Sequence, residues 1–216
     1  MRHWITPTQR CQYGAYHKHM LTLPEHDTVA FTNLLGLPHE MFDELLYRVG
    51  PRITKKMTNW RSPLEPGLKL AITLWHLATG ESYMYMMYLW RVPHNTISQV
   101  VREVCQAIFE EYVADVLPVP TEEDDWRAIA DGFMRRWKFP NTIGALDGKH
   151  VACKSPRGTG SVVVLALVDA DYKFIWADIG GHGASSDAQL WNQSELKESI
   201  EKSKYPQPPT TRSSAA

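Results

Sequence analysis

At 216 residues, with 44% hydrophobic and 22% charged residues, the chain has an ordinary globular composition and is long enough for one large or two small domains, which excludes wholesale disorder. A net charge of -1 neither announces nor excludes a nucleic-acid partner, so the local distribution of charge has to carry that signal. No apolar run approaches the roughly 20 residues of a bilayer span, and the opening MRHWITPTQRCQYG lacks a signal peptide's apolar core, which points to an intracellular protein with no membrane partner.

Residues 1–30 are rich in His, Tyr and Thr without a clear period and read as a loosely ordered leader, with His17 and His19 as solvated tail residues rather than metal ligands. Cys11, Cys105 and Cys153 are odd in number and form no CxxC pair, which fits a reducing compartment.

Residues 31–117 read as a helical, DNA-binding region. Met41, Phe42, Leu45, Leu46 and Val49 recur at helical spacing until Gly50-Pro51 stops them. A second helix runs from Pro66 to the capping Gly80 and a third from Ser82 to Trp90. Asn95 or His94 then caps a fourth with the inner stripe Ile97, Val100, Val101, Val104, Ile108 and Phe109. The last two, joined by a tight turn, have the layout of a helix-turn-helix, with Asn95, Thr96, Gln99 and Arg102 as outward candidates to contact phosphates and base edges; the packing of an ordinary helical bundle accounts for the same pattern. Pro51 to Cys105 carries seven Lys or Arg against three acids, and Lys55, Lys56 and Arg61 supply further phosphate contacts.

From Glu110 to Asp131 the sign reverses, with eight acids against Arg127 alone. Residues 118–204 form a second region, entered through the rigid Leu117-Pro118-Val119-Pro120. Thr121 and Asp124 resemble a capping box, and Trp126, Ile129, Phe133 and Trp137 mark a buried helical face whose acidic start suits the helix dipole. The period then changes to strands: Thr142–Leu146 leading into Asp147-Gly148, Val151–Lys154, Val162–Val168, a turn at Asp169–Tyr172, and Phe174–Ile179. A Gly-rich loop precedes a helix opening at Ser185 or Ser186, and residues 205–216 read as a disordered tail.

Asp147, after an apolar strand, and Asp187, at a helix opening 40 positions later, are the candidate catalytic pair. Carboxylates on neighbouring elements can share Mg²⁺ or Mn²⁺, and such an ion activates water and stabilises the leaving oxygen of a phosphodiester. A turn residue in Asp-Gly and an N-terminal helix acid account for the same two residues without a metal.

The run FPNTIGALDGKHVACKSP, followed by VVVLALVDADYKFIWADIGGHGASSDAQLWNQSEL, resembles the catalytic domain of PIF/Harbinger-type transposases and the nucleases domesticated from them. VGPRITKKMTNWRSPLEPGLKLAITLWHLATGESY and HNTISQVVREVCQAIFEEY resemble the helical region preceding it. The resemblance implies an α+β or α/β fold, a helical region with a helix-turn-helix before a partial ribonuclease H-like sheet-and-helix core. It also implies a DDE endonuclease site using divalent metal, in which Asp147 matches the first catalytic aspartate and Asp187 the metal-associated aspartate of the small-residue loop. DNA, a Myb-like partner protein and a nuclear location come with it. Two departures stand out: a stretch missing before Val162, which is expected to shorten the second strand or shift its register, and no counterpart to the family's later aspartate and glutamate. The chain is therefore expected to be truncated and catalytically impaired, or a DNA-binding or protein-interaction module without catalysis.

Overall fold

Residues 3–57, 62–118, 120, 122–155 and 158–201 are described by the computed structural model, in two units, 1–112 and 113–216. Arg61, Val119, Thr121 and the tail 205–216 lie outside the described residues, and with them the expected box at Thr121, the Arg61 phosphate contact and the disordered tail.

In the first unit the expected loose leader is replaced, over its described residues, by short helical turns. A 3-10 turn (His3–Ile5), α1 (Pro7–Tyr13), a π turn (Tyr16–Met20) and α2 (Leu23–His26) bury Ile5, Ala15, Tyr16 and Met20. Three helical pitches alternate within some twenty residues, so the buried side chains share no single sequence period. His17, in the π turn, lies 3.6 Å from Glu65 rather than in a solvated tail.

Next come α3 (Thr28–Leu35), α4 (His39–Ile53) and α5 (Pro66–Thr79). The α4 helix passes through Gly50-Pro51, where the sequence places a stop. Glycine before proline has no β-carbon to clash with the ring, and a proline one turn from the end forfeits a single hydrogen bond. Every residue from Gly67 to Thr73 is buried, as a helix surrounded by its neighbours requires. Gly67 allows the close approach of Tyr16, whose ring carbon Cζ would lie 3.1 Å from a β-carbon there.

Local chemistry sets the next boundaries as expected. Gly80 ends α5 at a φ of 66°, and the Ser82 hydroxyl accepts a hydrogen bond from the Tyr85 amide to open α6 (Tyr83–Trp90). After three residues α7 (His94–Val116) begins, but neither His94 nor Asn95 caps it: the Ile97 amide bonds to the Pro93 carbonyl at 2.9 Å, so both residues lie inside the first turn. Ile97, Val100, Val101, Val104 and Ala107 form its buried stripe, while Phe109 is exposed, about 140° around the helix from Val104 at 100° per residue.

In the second unit α8 (Glu123–Trp137) opens with Glu122 and Asp125 in a reciprocal capping box, and Trp126 and Phe133 are buried. Trp137, expected inside, is 43% exposed; at the end of the helix its indole N–H donates to the Ala170 carbonyl and its ring meets the edge of Tyr172. Three strands follow, β1 (Ala145–Ser155), β2 (Gly158–Val168) and β3 (Phe174–His182), as an antiparallel meander in the order β1-β2-β3. The β1–β2 ladder keeps one register from Ala145 opposite Val168 to Ser155 opposite Gly158, so the expected shortening of the second strand does not occur there; register shifts fall between β2 and β3. The Asp169 carboxylate accepts from the amides of Asp171 and Lys173, closing the β2–β3 turn. Helices α9 (Asp187–Gln193) and α10 (Glu195–Glu201) complete the unit, and Trp126, Leu167, Ile175 and Leu196 form its core. The described fold is thus mixed α and β with a small antiparallel sheet.

Candidate functional site

Asp147 is the third residue of β1, inside the strand rather than in an Asp-Gly turn. Its neighbour across the ladder is Ala166, whereas Gly148 pairs with the buried Leu165. Successive strand residues face opposite ways, so Gly148 belongs to the face of Val163, Leu165 and Leu167, and Asp147 to the other. Asp147 is exposed there, and among the described residues its carboxylate has no hydrogen-bond or ion-pair partner.

Asp187 is the first residue of α9, after Ser186, whose hydroxyl accepts from the Gln189 amide. Its carboxylate is seated on Gly148: a β-carbon built there would come within 2.6 Å of Asp187 Cγ and closer still to Oδ1. The two aspartates are thus brought to successive residues of β1, but from opposite sides of the sheet. The Asp187 carboxylate lies on the Gly148 face of β1, an edge strand of the sheet. No cluster of three or more His, Cys, Asp or Glu able to hold a metal occurs among the described residues. Mg²⁺ takes about six oxygens and commonly only one or two from carboxylates.

The seat at Gly148 was invisible in the sequence, where only the Asp-Gly dipeptide stood out. Gly148→Ala is expected to cost about 1–2 kcal/mol, since the new methyl must push the carboxylate aside. Urea denaturation of Gly148→Ala, Asp187→Ala and the double variant checks this: the double variant should lose less than the sum of the singles. Strict additivity would remove the contact from the account.

In the helical unit, Asn95, Gln99 and Arg102 are exposed and Thr96 half-buried, all within the first three turns of α7. Positions 95, 99 and 102 follow the helical repeat and form one row. On the adjoining side Glu103 accepts from Lys55 at 2.6 Å and from Lys69, itself 2% exposed, at 3.0 Å. Burial pushes the Glu103 carboxyl upward, but the hydrogen bonds and charges of Lys55 and Lys69 outweigh it and hold the pKa below its ordinary 4.5. Sequence reading missed Lys69 and Glu103; the only signal was a lysine within the apolar run GLKLAIT.

Arg52 and Arg48 hydrogen-bond Glu111 and lower its pKa, Arg52 also pairs with Glu110, and Arg127 pairs with Glu123 and Asp124. The acids from Glu122 to Asp125 serve the start of α8, as expected.

The chain is 24% identical over 194 residues to "Protein ALP1-like" of Arabidopsis thaliana, covering 82% of this chain and 47% of that protein. It is 21% identical over 179 residues to "Putative nuclease HARBI1" of Bos taurus, and equally to that of Rattus norvegicus, covering 78% of this chain and 51% of each relative. No family model and no solved structure matches it. The similarity is distant and speaks at the level of family, and the chain spans about half the length of the curated relatives it matches. No helix among the described residues is long and apolar enough to cross a membrane.

Proposed function

We propose that this chain is a nuclease-type protein derived from a PIF/Harbinger-like transposase, that it binds DNA through the opening turns of α7, and that its described carboxylates do not by themselves cut DNA. The relatives' names and the transposase-like motifs support the family reading. The observation that carries the DNA reading is the exposed row Asn95, Gln99 and Arg102, with half-buried Thr96 beside it, on a helix that follows α6 after three residues, the layout of a helix-turn-helix. Amide and guanidinium groups match base edges and phosphates.

Asp147 is assigned to a divalent cation, Mg²⁺ or Mn²⁺, within the ribonuclease H-like, DDE reading; Asp187 is assigned to opening α9 and filling the Gly148 seat. The seat of the Asp187 carboxylate against Gly148 favours a second reading, a DNA-binding or interaction module without catalysis. Nuclear residence and a Myb-like partner belong to both readings.

Titrating labelled duplex DNA with the purified chain tests the first part. Gln99→Ala and Arg102→Ala are each expected to weaken binding roughly tenfold, in line with about 1–3 kcal/mol per base-directed contact. Wild-type affinity in both variants would sink the assignment. Incubation of duplex with Mn²⁺ should leave it intact; cleavage that vanishes in Asp147→Ala would show that the site is competent after all.

A further inference from the structure

We infer that a cavity in the helical unit is built to take a phosphate group of a nucleic-acid backbone, with Lys56 as the cation that pairs with it. This deepens the DNA reading and rests on it. The cavity has a volume of about 250 Å³, and its walls include Arg10, Lys55, Lys56, Lys69, Thr96 and Gln99, with Glu103 as the one acid among the described residues that line it.

Among the described residues, Lys55, Lys56 and Lys69 therefore face a single carboxylate. Glu103 already holds Lys55 and Lys69, and Lys69 also donates to the Ile53 carbonyl at 2.5 Å. Lys56 has no acidic partner among the described residues. An excess of positive charge in a concave, partly apolar wall focuses the field and draws an anion.

Neutral donors complete the chemistry. Thr96 brings a hydroxyl and Gln99 an amide from the first turns of the 23-residue α7, whose positive dipole end adds to the potential. The volume is well above the ~30 Å³ share of one water, which leaves room for a hydrated tetraoxyanion. Among the described residues no aromatic ring lines the cavity to stack a base, so the part of a nucleotide they suit is the phosphate. Gln99 belongs both to this wall and to the exposed row with Asn95 and Arg102, so a strand read by that row would pass its backbone over the cavity.

The test uses the full chain, with Lys56→Gln and, as a control for the loss of one charge, Lys18→Gln, whose side chain is exposed on the π turn and does not line the cavity. Duplex affinity is measured from 50 to 200 mM KCl, and the thermal midpoint with and without inorganic phosphate. Lys56→Gln should lower affinity roughly fivefold to tenfold at 0.1 M salt, flatten the log K against log salt slope by about one, and shrink the phosphate-induced rise in the midpoint, while Lys18→Gln should leave the slope near wild type. If wild type binds DNA and Lys56→Gln keeps its slope, the cavity assignment is overturned and the DNA reading stands. If phosphate stabilises the chain through Lys56 but duplex does not bind, the cavity is a free-phosphate site and both the backbone assignment and the DNA reading fall. Absence of any response to either probe overturns cavity and reading together.

Discussion

Trp126→Ala is expected to destabilise residues 113–216 by about 3–5 kcal/mol, the usual cost of truncating a buried tryptophan. Trp126, Leu167, Ile175 and Leu196 form one buried cluster of that unit, and Trp126 is the only aromatic ring among those four. A domain's whole stability is commonly about 5–15 kcal/mol, so this one void removes a large share of what holds the sheet that presents Asp147. Hydrogen exchange locates the loss: amides of β2 and β3 should lose protection, while those of α5, in the other unit, should keep theirs. Trp126→Phe, which retains most of the ring, should cost about 1–2 kcal/mol. A cost under about 1 kcal/mol for the alanine variant, or a uniform loss of protection across both units, would contradict this placement of the core.

How far these features were legible in the sequence depends on how local their causes are. Gly80 and Ser82 act on their own backbone, so the ends of α5 and α6 were readable from single residues. Pro51 misled because its effect depends on the glycine before it and on how few turns follow. The leader hid its order because α, π and 3-10 turns mix their periods, so Ile5, Tyr16 and Met20 never fall on one stripe. At the candidate site the limits were sharper. A carboxylate on an extended run could be recognised at Asp147, but which way it faces follows from the β1–β2 register, and that register joins residues up to 23 apart, such as Ala145 and Val168. The seat of Asp187 on Gly148 unites residues 39 apart, as positions 148 and 187 record, and no spacing rule reaches that far. The Lys69–Glu103 pair, separated by 34 positions, is hidden for the same reason.

That pair supplies the second large effect. Lys69→Met is expected to cost about 2–4 kcal/mol, below the top of the range for breaking a buried ion pair, because Glu103 is partly exposed and keeps Lys55. Loss of the ammonium also leaves the Ile53 carbonyl without its donor. Removing both charges in Lys69→Met with Glu103→Leu should be less damaging than the first change alone, since neither charge is then left in the wall unpaired. The pH dependence has a definite sign. The Glu103 pKa is lowered on folding, so its contribution is present above its ordinary 4.5 and is lost as pH falls through the lower folded value. The stability advantage of wild type over Glu103→Gln, measured by urea denaturation between pH 7 and 3, should therefore be full near neutrality and fade below about 4.5. A gap that stays constant across that range would mean that Glu103 does not hold its partners as a carboxylate. The cavity beside it would then lack the one acid that fixes Lys55 and Lys69 in place.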